Sequence, residues 1–205
     1  MTSATWASLW AGIDLAGTGV ALVAMLVLHA LPTGLSALHD PVSQYGITTY
    51  RLGYRVLTVA LGVAGLACAA AIAVSGLPRG RAGTVGLLVV FGLSRLVISW
   101  VPMDPPGQPR SSRGAAHVAL AVTAFLTVTV AADRMHRIAG SGHLAGVGGA
   151  YGVAMGAAFW LLVVGLAGLF LTRRASSRRR FSGACERLVY AGIYLLLAAT
   201  GILLI

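Results

Sequence analysis

Residues 53–74 read GYRVLTVALGVAGLACAAAIAV, and from Val56 to Val74 this run holds no charged residue. A bilayer core about 30 Å thick takes about 20 apolar residues in helical form, because each residue rises about 1.5 Å. The run therefore predicts a membrane-crossing helix. Outward from it, five more stretches meet or approach that length: Ala11–Leu31, Thr84–Val101, Ala115–Ala132, Val147–Leu171 and Leu188–Ile205. A soluble helical bundle needs polar faces on its helices, and these runs have almost none. The expectation is an all-α, polytopic transmembrane bundle of about six helices, one domain over residues 1–205.

Composition agrees. Of 205 residues 58% are hydrophobic and 10% charged, against about 45–50% and 25% in an average soluble domain. All 15 basic residues are arginine, and with five acidic ones the formal charge is +10. Such a charge could indicate a nucleic-acid partner, but most arginines lie in short segments between apolar runs, with no basic stripe of interleaved aromatics. They point to membrane lipids as partners and not to nucleic acid. Cys68 lies inside an apolar run and Cys185 beside an arginine cluster, which predicts two free thiols. The first apolar run carries Asp14 and has no basic residue ahead of it, so it is expected to remain as a membrane helix.

Orientation follows from the arginines of the connections, since basic residues are retained on the cytoplasmic side. The first, third and fifth connections hold Arg51, Arg110, Arg113, Arg173, Arg174, Arg178, Arg179, Arg180 and Arg187; the second and fourth hold Arg79, Arg81, Arg134 and Arg137. Both termini are expected outside the cytoplasm, in a multi-pass inner-membrane protein. The arginine-rich run from Arg173 to Arg180 then touches anionic lipid. Gly148, Gly152 and Gly156 recur every four residues, a spacing that lets a neighbouring backbone approach. The stripe serves either a homodimer or another membrane-protein partner, or packing within the chain.

The odd-numbered connections share one face, and it gathers the unusual polar residues: Asp40, Ser43 and Tyr45, then Asp104 and His117, then Glu186 and Arg187. Arg95 lies about six residues before the end of its apolar run, about 9 Å below the interface at helical rise. A charge at the centre of a membrane helix costs about 2.5–3.5 kcal/mol on insertion scales, less when the side chain snorkels. Arg95 therefore calls for a partner. Either Asp40, Asp104 or Glu186 pairs with it across helices, or it contacts an anion or lipid head group. Asp14, near the opposite face, has Arg134 and Arg137 as its nearest expected partners, with a proton relay as the alternative.

Catalytic and cofactor signatures are sparse. His29, His39, Asp40, Asp104 and His117 share a face but lack His-x-x-x-His or His-Glu-x-x-His spacing, so no metal is expected. No pair of axial histidines facing one another at matched depth supports haem, and no cofactor is expected. His136 and His143 fall in the opposite connection. Ser43 follows Pro41 outside any Gly-x-Ser-x-Gly elbow and reads as a turn residue. Tyr45, Trp100 and Tyr190 are expected as aromatic anchors at the interface.

Several of these residues fall into short motifs: Asp40-Pro41-x-Ser43-x-Tyr45 after the first helix, Pro102-x-Asp104 after the third, His117 beyond it, and Glu186-Arg187 opening the last. In these the chain resembles domain of unknown function 998, a family of bacterial and archaeal membrane proteins, over nearly its whole length. The resemblance implies about six helices and supplies no activity. The leading functional expectation is an accessory or lipid- or small-molecule-binding membrane protein with a polar site on the cytoplasmic face. The alternative is a membrane-embedded hydrolase or transferase for lipid-linked substrates, using Asp40, Asp104 and His117. A small transporter would call for paired broken helices or an inverted repeat, and neither is evident.

Overall fold

The computed structural model describes residues 2–77, 81–140, 148–174 and 181–205, with residues 148, 173 and 174 described by their backbone alone. Arg79, His143, Arg178, Arg179 and Arg180 lie outside the described residues. Among the described residues six helices are long and apolar enough to cross a membrane: α1 Ser3–Ala30, α2 Arg51–Val74, α3 Arg81–Ile98, α4 Ser112–Gly140, α5 Gly148–Arg174 and α6 Ser182–Leu204. A 3-10 turn, Val42–Ile47, lies between α1 and α2. All regular structure among the described residues is helical, and the chain is a multi-pass membrane protein.

The apolar runs locate the helices, but the ends differ because a helix continues into polar residues once it leaves the hydrocarbon. α1 begins at Ser3, where the Thr2 side chain accepts from the Thr5 N–H at 3.3 Å and satisfies a donor that the first turn leaves open. α4 continues eight residues beyond Ala132, carrying an Arg137–Asp133 ion pair at 2.9 Å in its last turns. α3 ends at Ile98, three residues early, and places Arg95 in its final turn.

Each helix packs on the next and α6 closes on α1, giving a ring with α2 the most enclosed member. Glycines set the closest crossings. A Cβ on Gly62 would stand 2.9 Å from the Gly92 carbonyl oxygen, and one on Gly92 would stand 2.8 Å from that of Gly62, so α2 and α3 touch backbone to backbone. Gly165 meets the Cys185 carbonyl across α5 and α6 in the same way, at 2.7 Å. Gly152 and Gly156 face α4 of the same chain. A Cβ on Gly152 would lie 3.5 Å from Ala139 Cβ and one on Gly156 3.2 Å from the His136 ring, whose Nδ1–H donates to the Gly152 carbonyl at 3.0 Å. Both cysteines are free thiols.

Antiparallel passage around the ring brings the ends of α1, α3 and α5 to the same end as the beginnings of α2, α4 and α6. The first and third connections therefore lie at the same end as the start of α6.

Candidate functional site

The first connection is fastened across the start of α6. Asp40 accepts from the Ser36 N–H at 2.8 Å, which tightens the turn, and Pro41, with extended backbone, leads into the 3-10 turn. Glu186 accepts from the Val42 N–H at 2.8 Å. Arg187 donates through Nη1 to the Asp40 and Gly183 carbonyls at 2.9 and 3.0 Å, through Nη2 to the Tyr45 hydroxyl at 3.5 Å and through Nε to His29 Nε2 at 2.6 Å. Because His29 Nε2 accepts, its proton sits on Nδ1, which donates to the Met25 carbonyl at 2.6 Å. The Ala184 N–H and Ser182 hydroxyl add bonds to the Leu38 and His39 carbonyls at 3.0 and 2.7 Å. Gly183 is required here, since a Cβ would stand 2.5 Å from the Asp40 carbonyl oxygen.

Behind this strap lies a cavity of about 980 Å³. Asp40, Ser43, Tyr54, Arg95, His117 and Glu186 supply polar lining, while Ile98, Val118, Ala121, Phe125 and Leu169 supply apolar walls from α3, α4 and α5. A smaller chamber of about 300 Å³ shares Ser43, Tyr54, Ile98, Met103 and His117 with it and adds Arg51 and Arg55. Arg95 is 1% exposed although it sits in the last turn of its helix, packed against Tyr190 of α6. Its Nη2 donates to the Tyr190 hydroxyl at 2.5 Å, its guanidinium lies 5.1 Å from the Tyr190 ring centroid, and its buried Nε has no acceptor among the described residues. His117 is held by a 2.6 Å bond from Nδ1 to the Val101 carbonyl, which fixes the Nδ1–H tautomer and directs the ring from α4 onto the third connection. Among the described residues, no three histidine, cysteine or carboxylate side chains form a group that could hold a metal.

The sequence matches the family described as protein of unknown function DUF998 over residues 15–203. The chain belongs to the DUF998 family. No curated protein and no solved structure matches the chain.

In this DUF998 protein the short motifs separate into two kinds of work. Asp40, Ser43, Arg95, His117 and Glu186 converge on the cavity, whereas Tyr45 and Arg187 stand behind it as braces. Asp104 lies outside the lining. It accepts from the Ser111 N–H at 3.0 Å and hydroxyl at 2.5 Å, and Ser111 in turn accepts from the Gly114 N–H at 3.0 Å, so the carboxylate supports the first turn of α4. Those bonds to Ser111 hold the Asp104 carboxyl below the usual carboxylate range.

Three expectations are corrected. Arg95 makes no ion pair among the described residues, and its direct partner is a phenol. Tyr45 and Tyr190 are each 1% exposed and lie inside the bundle, where their hydroxyls meet Arg187 and Arg95, whereas Trp100 is exposed. Asp14 does not meet Arg134 or Arg137, because α4 packs between α3 and α5, across the ring from α1. Arg137 pairs with Asp133, Arg134 stands over Gly83, and Asp14 accepts from the Thr18 hydroxyl at 3.2 Å.

Tyr54 and Phe125 are lining residues that the sequence reading omits. A tyrosine near the start of an apolar helix and a phenylalanine inside another carry no signal of which way they turn.

Proposed function

We propose that this protein is a non-enzymatic membrane protein that binds a small amphiphile in the cavity beneath the first connection. The cavity carries the reading: at about 980 Å³ it lies near the top of the range of about 300–1,000 Å³ for small-molecule sites, with convergent polar groups on one side and apolar walls on the other. An amphiphile matches that division, with its head among Asp40, Arg95, His117 and Glu186 and its tail along Val118, Ala121, Phe125 and Leu169. Ala121→Trp tests it by filling the apolar side. Protein purified in an uncharged detergent is extracted and its lipids are identified by mass spectrometry. Wild type is expected to retain a stoichiometric amphiphile that Ala121→Trp lacks; equal retention by both would remove the reading.

The reading places the protein in the inner membrane with both termini outside the cytoplasm and the cavity on the cytoplasmic face, on the strength of the arginine distribution. Gln108→Cys in a chain with both native cysteines replaced should react with an impermeant thiol reagent only after spheroplasts are opened. Reaction in intact spheroplasts reverses the orientation.

A hydrolase or transferase for lipid-linked substrates draws on the same cavity. One observation favours it: the Val101 carbonyl orients His117 with Nδ1 protonated, as a general base requires. Asp104, the second acid of that scheme, is committed to Ser111 instead. Activity against a lipid-linked substrate that vanishes in His117→Ala would favour the enzyme.

A further inference from the structure

We infer that the amphiphile is received through an oxyanion, a carboxylate or a phosphate, bound by the Arg95 guanidinium. This rests on the cavity reading and specifies its head-group chemistry.

Arg95 brings five N–H donors and a charge it cannot lose. Among the described residues one protein acceptor takes one of those donors, the Tyr190 hydroxyl at 2.5 Å. The Tyr190 ring at 5.1 Å adds a cation–π contact but no acceptor for an N–H in the guanidinium plane. Nε stays buried without a partner among those residues. A buried cation in that condition is costly, and an oxyanion that enters the cavity removes the cost by offering lone pairs to the guanidinium fork.

The protein's own carboxylates are engaged elsewhere. Asp40 accepts from the Ser36 N–H, Glu186 from the Val42 N–H and Asp104 from Ser111, and among the described residues none forms an ion pair with Arg95, although the Glu186 charge attracts the guanidinium from nearby. Glu186 and Asp40 nonetheless line the cavity, and they repel a second negative charge near them. Arg51 and Arg55 in the adjoining chamber counter that repulsion, so among the described residues the two chambers together hold three arginines against two carboxylates. The balance suits one anionic head.

Pairs of amphiphiles that differ only in the head test the inference: oleate against oleyl alcohol, and oleoyl lysophosphatidate against mono-oleoylglycerol, with inorganic phosphate alone as the free-anion arm. Binding to wild-type protein in an uncharged maltoside detergent is measured by microscale thermophoresis and by the shift in unfolding temperature. At least one anionic member should bind about tenfold or more tightly than its neutral partner, the size of one charged hydrogen bond. Which one wins separates a carboxylate head from a phosphate head. Arg95→Gln should lose the preference while still binding the neutral congener, and Arg95→Lys should keep part of it. If Arg95→Gln does not fold, the wild-type pairs still decide.

Neutral congeners binding as tightly as anionic ones would overturn the oxyanion and leave the cavity reading intact. Binding of none of the four amphiphiles would sink both. Inorganic phosphate binding as tightly as oleoyl lysophosphatidate would show an anion site that does not use the tail.

Discussion

Two charged side chains are shut away from water at opposite ends of this ring, and the protein treats them differently. Arg95 borders a cavity, donates to one phenol and keeps a buried Nε that no group among the described residues takes up. Asp14 sits inside the packing of α1 on its neighbours. One oxygen accepts from Thr18, the other has no hydrogen bond of good geometry among the described residues, and Gly201 of α6 comes so near that a Cβ there would lie 3.2 Å away. A carboxyl can become neutral by taking a proton, whereas a guanidinium keeps its charge. A bundle can therefore close around an acid, but around an arginine it leaves something to be completed. That contrast is the reason to seek a ligand at one end and packing at the other.

The comparison can be broken most forcefully at the strap. Arg187→Ala removes four donated hydrogen bonds that hold the cavity end together, and a loss of about 3 kcal/mol or more is expected. Its readouts are a lower unfolding temperature in detergent and faster proteolysis within residues 32–41. An unchanged protein would mean that the strap does not support the cavity.

Next in size is Arg95→Met. Replacing an incompletely satisfied buried cation by an apolar side chain of similar length is expected to stabilise the unliganded protein by about 1–4 kcal/mol while abolishing the preference for anionic amphiphiles. Destabilisation of the unliganded protein would show that Arg95 is already satisfied by its surroundings.

Asp14→Asn sharpens the other side. The amide keeps an acceptor for Thr18 and adds no charge, so unfolding should shift by less than about 1 kcal/mol. A large loss would give Asp14 a requirement for ionisation that its packing does not supply.

The smallest effect belongs to Asp104→Ala, which should fray the first turn of α4 and speed hydrogen exchange of the Ser111 and Gly114 amides with little global change. The pH dependence has the same origin. Because the carboxyl in the folded protein lies below its ordinary value, its contribution is complete above about pH 4 and is lost as pH falls through the lowered value. Protection at those amides, relative to their intrinsic exchange rates, should fall in acid in wild type and not in the variant.

Much of the fold was legible from residues 53–74 and the five runs like them, because bilayer thickness imposes a length that composition reveals. Loop parity then placed Asp40, His117 and Glu186 at one end, since successive helices alternate in direction. Helix ends were less legible: Ser3 and Gly140 extend their helices through residues that the hydropathy pattern leaves out. Asp104 looked like a site residue because a lone acid beside an apolar run is conspicuous, whereas its work is to hold Ser111 at the start of α4.

By itself, then, the sequence determined the number of crossings, their alternation and the end at which polar residues gather, since each follows from local hydropathy and chain direction. The tertiary structure alone decided that the Tyr190 hydroxyl takes up an Arg95 donor, that Tyr45 turns inward to Arg187, and that Asp14 lies across the ring from Arg134 and Arg137. The reason is rotational. A helix that is apolar nearly all the way round specifies weakly which side faces its neighbours, and the close glycine crossings at Gly62 with Gly92, and of Gly165 against α6, fix that choice.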